Sequence, residues 1–160
     1  MSIDELEILP NVREALAMLR QAGYLNIVVT NQPDVRTGNQ RLEVVESMHA
    51  HLLDTLSLDE IRVCYHIDED NCECRKPKPG MLLTAAAKHG IALGDSFMVG
   101  DRWRDVQAGQ AAGCHAFFID LGYGEQRPNP PYTEVASLLE AAKVIVSKTA
   151  ATSIAEKEYR

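Results

Sequence analysis

Apolar positions along this chain alternate between two periods. Val12, Ala15, Leu16 and Leu19 recur at helical spacing. Asn11 stands where a helix cap belongs and Gly23 where the helix should stop. Residues 25–29 then form a short, nearly all-apolar run rich in β-branched side chains, which reads as a buried parallel strand. The alternation continues with a helix over about 42–56, a strand over 61–65 and a helix from Pro79-Gly80 through Lys88 that Gly90 ends. Residues 97–99 form a strand, 105–112 a helix closed by Gly113, 115–119 a strand, and 133–146 a last amphipathic helix. His49 and His51 cannot share a helical face and read as surface residues. Strands alternating with helices at this spacing predict an α/β fold with a doubly wound parallel sheet. It fills one domain over residues 1–147, and residues 148–160 read as a polar, fraying tail.

Residues 64–81 interrupt this regularity with a different chemistry. Cys64-Tyr65-His66 and Cys72-Glu73-Cys74 bracket an acidic loop, and the second pair runs into Arg75-Lys76-Pro77-Lys78-Pro79-Gly80. Side chains two apart on an extended backbone face the same way, so each pair can act as a clamp. Cys64, His66, Cys72 and Cys74 together offer three thiolates and an imidazole, a donor set suited to a closed, tetrahedral, structural zinc site. Two other readings stand beside this one. A disulfide from Cys64 to either partner would leave His66 idle. A redox pair would more typically be Cys-x-x-Cys opening a helix, whereas this Cys-x-Cys meets a helix-hostile Lys-Pro-Lys-Pro run. The N-terminus resembles no signal peptide, so a reducing, cytoplasmic setting is expected, where clustered cysteines point to metal.

Composition narrows the partners. The chain has 160 residues with 46% hydrophobic content, enough for a real core, and no apolar run long enough to cross a bilayer. A net charge of −7 argues against a nucleic-acid partner held by backbone electrostatics. It does not exclude a small anion, because Arg75, Lys76, Lys78, Arg102 and Arg104 cluster near the strand ends.

Ligands of open α/β sheets bind beyond the carboxyl ends of the strands. There, Thr30 offers a hydroxyl beside backbone amides, suited to a phosphate oxygen. Lys76 offers a mobile cation to neutralise an anion. Asp101 offers a hard oxygen for magnesium, and Asp105, a turn later, can orient Lys76 or hold a metal-bound water. Each has an ordinary alternative: turn chemistry for Thr30, solvation for Lys76, a helix cap for Asp101.

Taken in chain order, Val29-Thr30-Asn31-Gln32, then Lys76-Pro77-Lys78-Pro79-Gly80-Met81, then Met98-Val99-Gly100-Asp101 with Asp105 resemble the second, third and fourth motifs of haloacid dehalogenase (HAD) superfamily phosphatases. The inserted cysteine pairs are similar to those of the small-cap subgroup that includes heptose-bisphosphate and histidinol-phosphate phosphatases, and the heptose side is favoured. The resemblance implies a Rossmann-like, HAD-type sheet and hydrolysis of a phosphomonoester through an aspartyl-phosphate. An Asp nucleophile attacks phosphorus, and a second Asp two residues on protonates the leaving oxygen and then activates water. It further implies that Thr30 and Lys76 bind the phosphoryl oxygens and that Asp101 ligates magnesium. Arg75 would contribute to substrate recognition, with Asn31, Gln32 and Pro33 lining the same rim. The zinc would pin the loop that presents Arg75 and Lys76. The partner implied is a phosphorylated small molecule, a sugar phosphate.

One motif of that family has no counterpart. A hydrophobic strand ending in Asp-x-Asp should precede residue 10, and the only literal Asp-x-Asp is Asp68-Glu69-Asp70, inside the zinc loop. The chain is therefore expected to lack nucleophile and general acid and to turn nothing over by itself. It is read as part of an enzyme or as a non-catalytic binder of a phosphorylated ligand. In the family the missing strand lies mid-sheet, between those ending at Thr30 and Asp101. Three outcomes are open for the gap: the neighbours close up, a second copy fills it through self-association, or residues 1–9 do. Arg36 precedes Thr37-Gly38 rather than the glycine itself, which leaves its contact with substrate open.

Overall fold

A computed structural model describes residues 5–158, with side chains described as far as Thr149. Five strands, β1 (Ile27–Asn31), β2 (Glu60–Cys64), β3 (Phe97–Gly100), β4 (His115–Phe118) and β5 (Thr133–Glu134), alternate with six helices. These are α1 (Val12–Gln21), α2 (Pro33–Arg36), α3 (Leu42–Thr55), α4 (Gly80–His89), α5 (Trp103–Ala112) and α6 (Leu138–Glu158). Every strand pairing is parallel. Among the described residues no helix is long and apolar enough to cross a membrane.

The sheet is split. β1 pairs with β2, and β3-β4-β5 form a separate sheet. The register runs Val28 to Ile61 in the first and Met98 to Ala116 in the second. The flanking strands have therefore not closed up over the vacant central position, and residues 5–9 form no strand there. Between β1 and β3 lies a cavity of about 720 Å³.

Helices cover both faces. On one side Ala15 and Leu19 of α1 pack with Phe117 of β4 and with Ala141, Ala142 and Ile145 of α6. On the other, Leu82 of α4 and Ala108 of α5 pack on Met98 of β3, with Val29 of β1 against them. The fully buried Val106 joins Ala116 and Phe118 on that side. β4 is buried along most of its length, while β1 and β3, which border the cavity, are only partly buried although their sequences are apolar runs. Valine 45 and methionine 48 are the buried residues of α3, which packs against β2.

Four sequence expectations change here. Thr133-Glu134 pair with β4, and the last helix starts only at Leu138. Val135 is buried in the same core as Leu138 and Ala142, so the helical spacing of apolar residues runs back across a helix boundary. The boundary itself is marked by Ser137, whose Oγ accepts from the Glu140 amide at 3.2 Å, while Glu140 accepts from the Ala136 amide. The helix also continues to Glu158, through residues read as a tail. Asn11 does occupy the position before α1, but in the left-handed region (φ 64°) and with no side-chain cap. His49 is half-buried rather than on the surface, and burial lowers its pKa.

Gly109 sets the spacing of α5 on β3, because a Cβ there would lie 2.4 Å from Met98 Cβ. Gly109→Val is expected to cost about 1–3 kcal/mol through overpacking, read as a lower urea midpoint with unchanged slope.

Candidate active site and metal centre

The metal loop leaves the end of β2. Cys64 is buried at the last position of that strand, and a turn of 3₁₀ helix over Asp68–Asp70 returns the chain to Cys72 and Cys74. All the cysteines are free thiols. The ligand atoms of Cys64, His66, Cys72 and Cys74 lie within 4.8 Å of one another. Cys74 Sγ is 3.0 Å from Cys64 Sγ, 3.4 Å from Cys72 Sγ and 3.3 Å from His66 Nδ1. A tetrahedral ion with metal–sulfur bonds of about 2.3 Å sets its sulfurs roughly 3.8 Å apart, so the group fits a metal such as zinc with a small outward adjustment. Burial, reinforced by the hydrogen bond with Cys74, pushes the Cys64 thiol up to about 12.

Asp68, between the ligand pairs, accepts from Arg75 Nε at 2.7 Å and lies 3.4 Å from Arg104 Nη1. The Arg75 hydrogen bond holds its carboxyl below the usual range. Arg75 also donates to the His66 carbonyl at 3.1 Å. The acidic triplet thus anchors its own loop: Asp70 accepts from the Ile67 amide and sits 3.6 Å from the guanidinium of Arg36. Gly80 locks the far end, since a Cβ would fall 2.2 Å from the Glu73 carbonyl oxygen.

This loop delivers Lys76 into the mouth of the cavity, 8% exposed. Its Nζ lies 2.6 Å from Asp105 Oδ1 and donates to the Val29 carbonyl at 2.6 Å. Its peptide is bracketed by Asn31, whose Nδ2 donates to the Lys76 carbonyl and whose Oδ1 accepts from the Lys76 amide, both at 3.1 Å. Asp105, buried at the start of α5, also accepts from the Arg102 amide at 3.0 Å. Gly100 has no room for a Cβ, which would lie 2.1 Å from Asp105 Cβ.

Thr30, Lys76, Gly100, Asp101 and Asp105 line one cavity, so the strand-end residues do converge. Gln32 Nε2 donates to Thr30 Oγ1 at 3.2 Å, and Pro33 opens the short α2. Asp101 accepts at Oδ2 from the Tyr123 hydroxyl at 2.8 Å, a bond that raises the phenol's pKa. The Arg102 guanidinium stacks 4.1 Å over the Tyr123 ring and pairs with Glu125. Sequence reasoning missed this strap after β4. Its signal was Gly122-Tyr123-Gly124, an aromatic between glycines that both take φ near 71°. Among the described residues the Cys/His group is the only set of three or more candidate ligands. Asp101 alone is a hard oxygen of the kind magnesium accepts, but it offers one carboxylate, where magnesium completes its octahedron with waters and substrate phosphates.

The layered sheet sets an acid, a buried lysine and a hydroxyl around one cavity. Residues 73–142 match the family described as HAD-hydrolase-like. The D-glycero-β-D-manno-heptose-1,7-bisphosphate 7-phosphatase of Pseudomonas aeruginosa is 33% identical over 151 residues, covering 91% of this chain and 85% of its own. The protein of the same name from Neisseria meningitidis serogroup A is 33% identical over 162 residues, covering 94% and 87%. The crystal structure of D,D-heptose 1,7-bisphosphate phosphatase from B. bronchiseptica, complexed with magnesium and phosphate, superposes with a TM-score of 0.81 at 29% identity. That match covers 92% of this chain and 88% of the other. The chain belongs to the HAD-like hydrolase family, on the branch that carries these heptose-bisphosphate phosphatases.

Removing one partner of a buried ion pair strands the other charge. Asp105→Ala is therefore expected to destabilise the fold by about 3–5 kcal/mol and Asp105→Asn, which still accepts a hydrogen bond, by clearly less. Thermal and urea unfolding of the two variants read the difference.

Proposed function

We propose that this chain carries the phosphate-binding machinery of a phosphomonoester hydrolase whose substrate is a heptose 1,7-bisphosphate, cleaved at the 7-phosphate. The observation that supports the reading is that Thr30, Lys76 and Asp101 line one cavity, in a chain whose relatives bear that enzyme's name. Residues 1–147 act as one phosphatase domain in a cytoplasmic, thiol-preserving setting.

In this reading the Thr30 hydroxyl and neighbouring amides take the phosphoryl oxygens. Lys76 Nζ, swung slightly from the Val29 carbonyl, neutralises the charge that develops on them while Asp105 keeps the lysine in place. Magnesium, when bound with Asp101 as a ligand, offsets the repulsion between an anionic nucleophile and an anionic phosphate. Tyr123 holds Asp101 by its Oδ2. Asn31 acts through Lys76, by fixing its peptide, more than by touching substrate. Arg75, fastened to Asp68 and to the His66 carbonyl, has its Nη2 left for the sugar, with Gln32 and Pro33 on the same rim. Zinc in the Cys64, His66, Cys72 and Cys74 group makes the loop rigid. The carboxylate that attacks phosphorus is not among these 160 residues, so the chain by itself binds and does not turn over.

The test is phosphate release from D-glycero-β-D-manno-heptose 1,7-bisphosphate with magnesium. The chain alone releases none, and a form preceded by an apolar strand ending in Asp-x-Asp does. In that form Lys76→Met lowers kcat by about 10²–10³-fold. If the extended form is inert on this substrate and on histidinol phosphate and other phosphomonoesters, the hydrolase reading fails and the binder reading stands. Separately, elemental analysis should find ~1 zinc per chain, lost in Cys72→Ser/Cys74→Ser together with a fall in Tm.

A further inference from the structure

Three thiols meet in the metal loop, and the last of them, Cys74, directly precedes Arg75-Lys76. We propose that Cys74 and Cys64 are a peroxide-reactive pair. Their oxidation to a disulfide dismantles the metal centre and displaces the segment that carries Lys76. The inference goes beyond the hydrolase reading and rests on it only for the part that Lys76 plays at the rim.

Geometry selects the pair. Cys74 Sγ lies 3.0 Å from Cys64 Sγ and 3.4 Å from Cys72 Sγ, and Cys64 Sγ lies 3.6 Å from Cys72 Sγ. Cys74 is partly exposed, whereas Cys64 is 1% exposed at the end of β2. A small oxidant therefore reaches Cys74, and Cys64 is the thiol placed to resolve the product. Cys72 is also partly exposed but stands farther from Cys64. Cys114 belongs to a different neighbourhood, packed with Leu82, Met98 and Ala108.

Hydrogen peroxide is the oxidant. The Cys74 sulfur attacks one peroxide oxygen, the O–O bond breaks, and a sulfenic acid and a water form. The Cys64 sulfur then attacks the sulfenic sulfur, the S–O bond breaks, and a second water leaves. Two thiols and one peroxide thus give one disulfide and two waters, with sulfur oxidised and the peroxide oxygens reduced. Thiolates are the reactive form, and metal ligation keeps cysteines deprotonated. Cys72 and His66 are then the remaining donors, two where a closed zinc site takes four. An added thiol reverses the step by exchange and returns the full donor set.

Oxidation also shortens a distance. Sulfurs on one zinc stand roughly 3.8 Å apart, and a disulfide sets them about 2.05 Å apart. Closing the bond therefore draws Cys74 toward the end of β2 by roughly 1–2 Å. The residues on either side of Cys74 are fastened elsewhere. The Glu73 carbonyl accepts from the Gly80 amide at 3.1 Å, which ties it to the start of α4. Arg75 holds the His66 carbonyl and Asp68. Asn31 of β1 clamps the Lys76 peptide from both sides, and Asp105 holds its Nζ. A shift at Cys74 has to be taken up by one of these ties, and the Asn31 clamp lies only two residues away.

The experiment is a hydrogen peroxide titration of the zinc-loaded, reduced 160-residue chain, alongside its Cys114→Ser variant. A coloured chelator reads zinc release, peptide mass mapping reads the disulfide, and NMR reads the Lys76 amide and the Asn31 carboxamide. The reduced chain stripped of zinc by chelation supplies the reference spectrum. At one equivalent of peroxide, zinc is lost in proportion to a Cys64–Cys74 disulfide. The Lys76 and Asn31 signals move away from both the zinc-loaded and the stripped positions. Dithiothreitol with added zinc restores the starting spectrum, and Cys114→Ser behaves the same. Zinc retained at that dose overturns the proposal, as does a chain that holds no zinc at the start. So does oxidation that joins Cys72 or Cys114 instead, or that ends in sulfinic acid. A disulfide that leaves Lys76 and Asn31 at the stripped positions overturns it too. Phosphate release plays no part in this readout, so the hydrolase reading and the redox reading fail separately.

Discussion

The constraint on which the rest depends is the position between β1 and β3, where a parallel sheet is interrupted by the width of a strand. A sheet normally satisfies its backbone groups from both sides, and here the inner rows of Ile27, Val29, Phe97 and Val99 face each other across a cavity. What keeps the two half-sheets from collapsing together is the pair of helical layers. Alpha helices 1 and 6 brace one face, and the contact of Leu82 and Ala108 with Met98 and Val29 braces the other. The Lys76–Asp105 pair bridges the mouth, since Lys76 also holds the Val29 carbonyl while Asp105 sits at the head of the helix that follows β3. One buried lysine therefore ties both half-sheets together at the rim where phosphate is proposed to bind.

The metal loop and the rim are mechanically one device. The Cys/His group closes residues 64–74 into a tight turn, Asp68 fastens Arg75, and Asn31 clamps the Lys76 peptide from β1. A long, mobile lysine is thus delivered buried and pre-aimed, which lowers the entropy lost when an anion arrives. Burying a cation this far from water is tolerable because a carboxylate and a carbonyl meet it directly.

Much of this was legible in the sequence. Four of the five strands fell within one or two residues of those observed, because they carry short apolar runs such as Ile27-Val28-Val29; Thr133-Glu134 read as the start of a helix. The metal group was legible because Cys-x-His and Cys-x-Cys fix ligand direction locally. The pairing of Lys76 with Asp105 was foreseen as one of two roles for that acid. Other features depend on contacts that no local pattern encodes. Asn31 looked like a rim residue, yet its carboxamide serves the peptide of a residue 45 positions away. Tyr123 reaches Asp101 from a loop whose glycines signalled only a turn. Val135 extended a helical stripe although its segment continues a strand edge, because the same core takes apolar side chains from both elements.

The most direct test of the account is the pattern of backbone nuclear Overhauser effects in the free chain. The account predicts cross-strand contacts between β1 and β2 in the Val28–Ile61 register and between β3 and β4 in the Met98–Ala116 register, with none joining β1 to β3. Backbone contacts between Val29 and Val99 at the spacing of adjacent strands would contradict it, because the half-sheets would then be paired and no strand's width would lie between them.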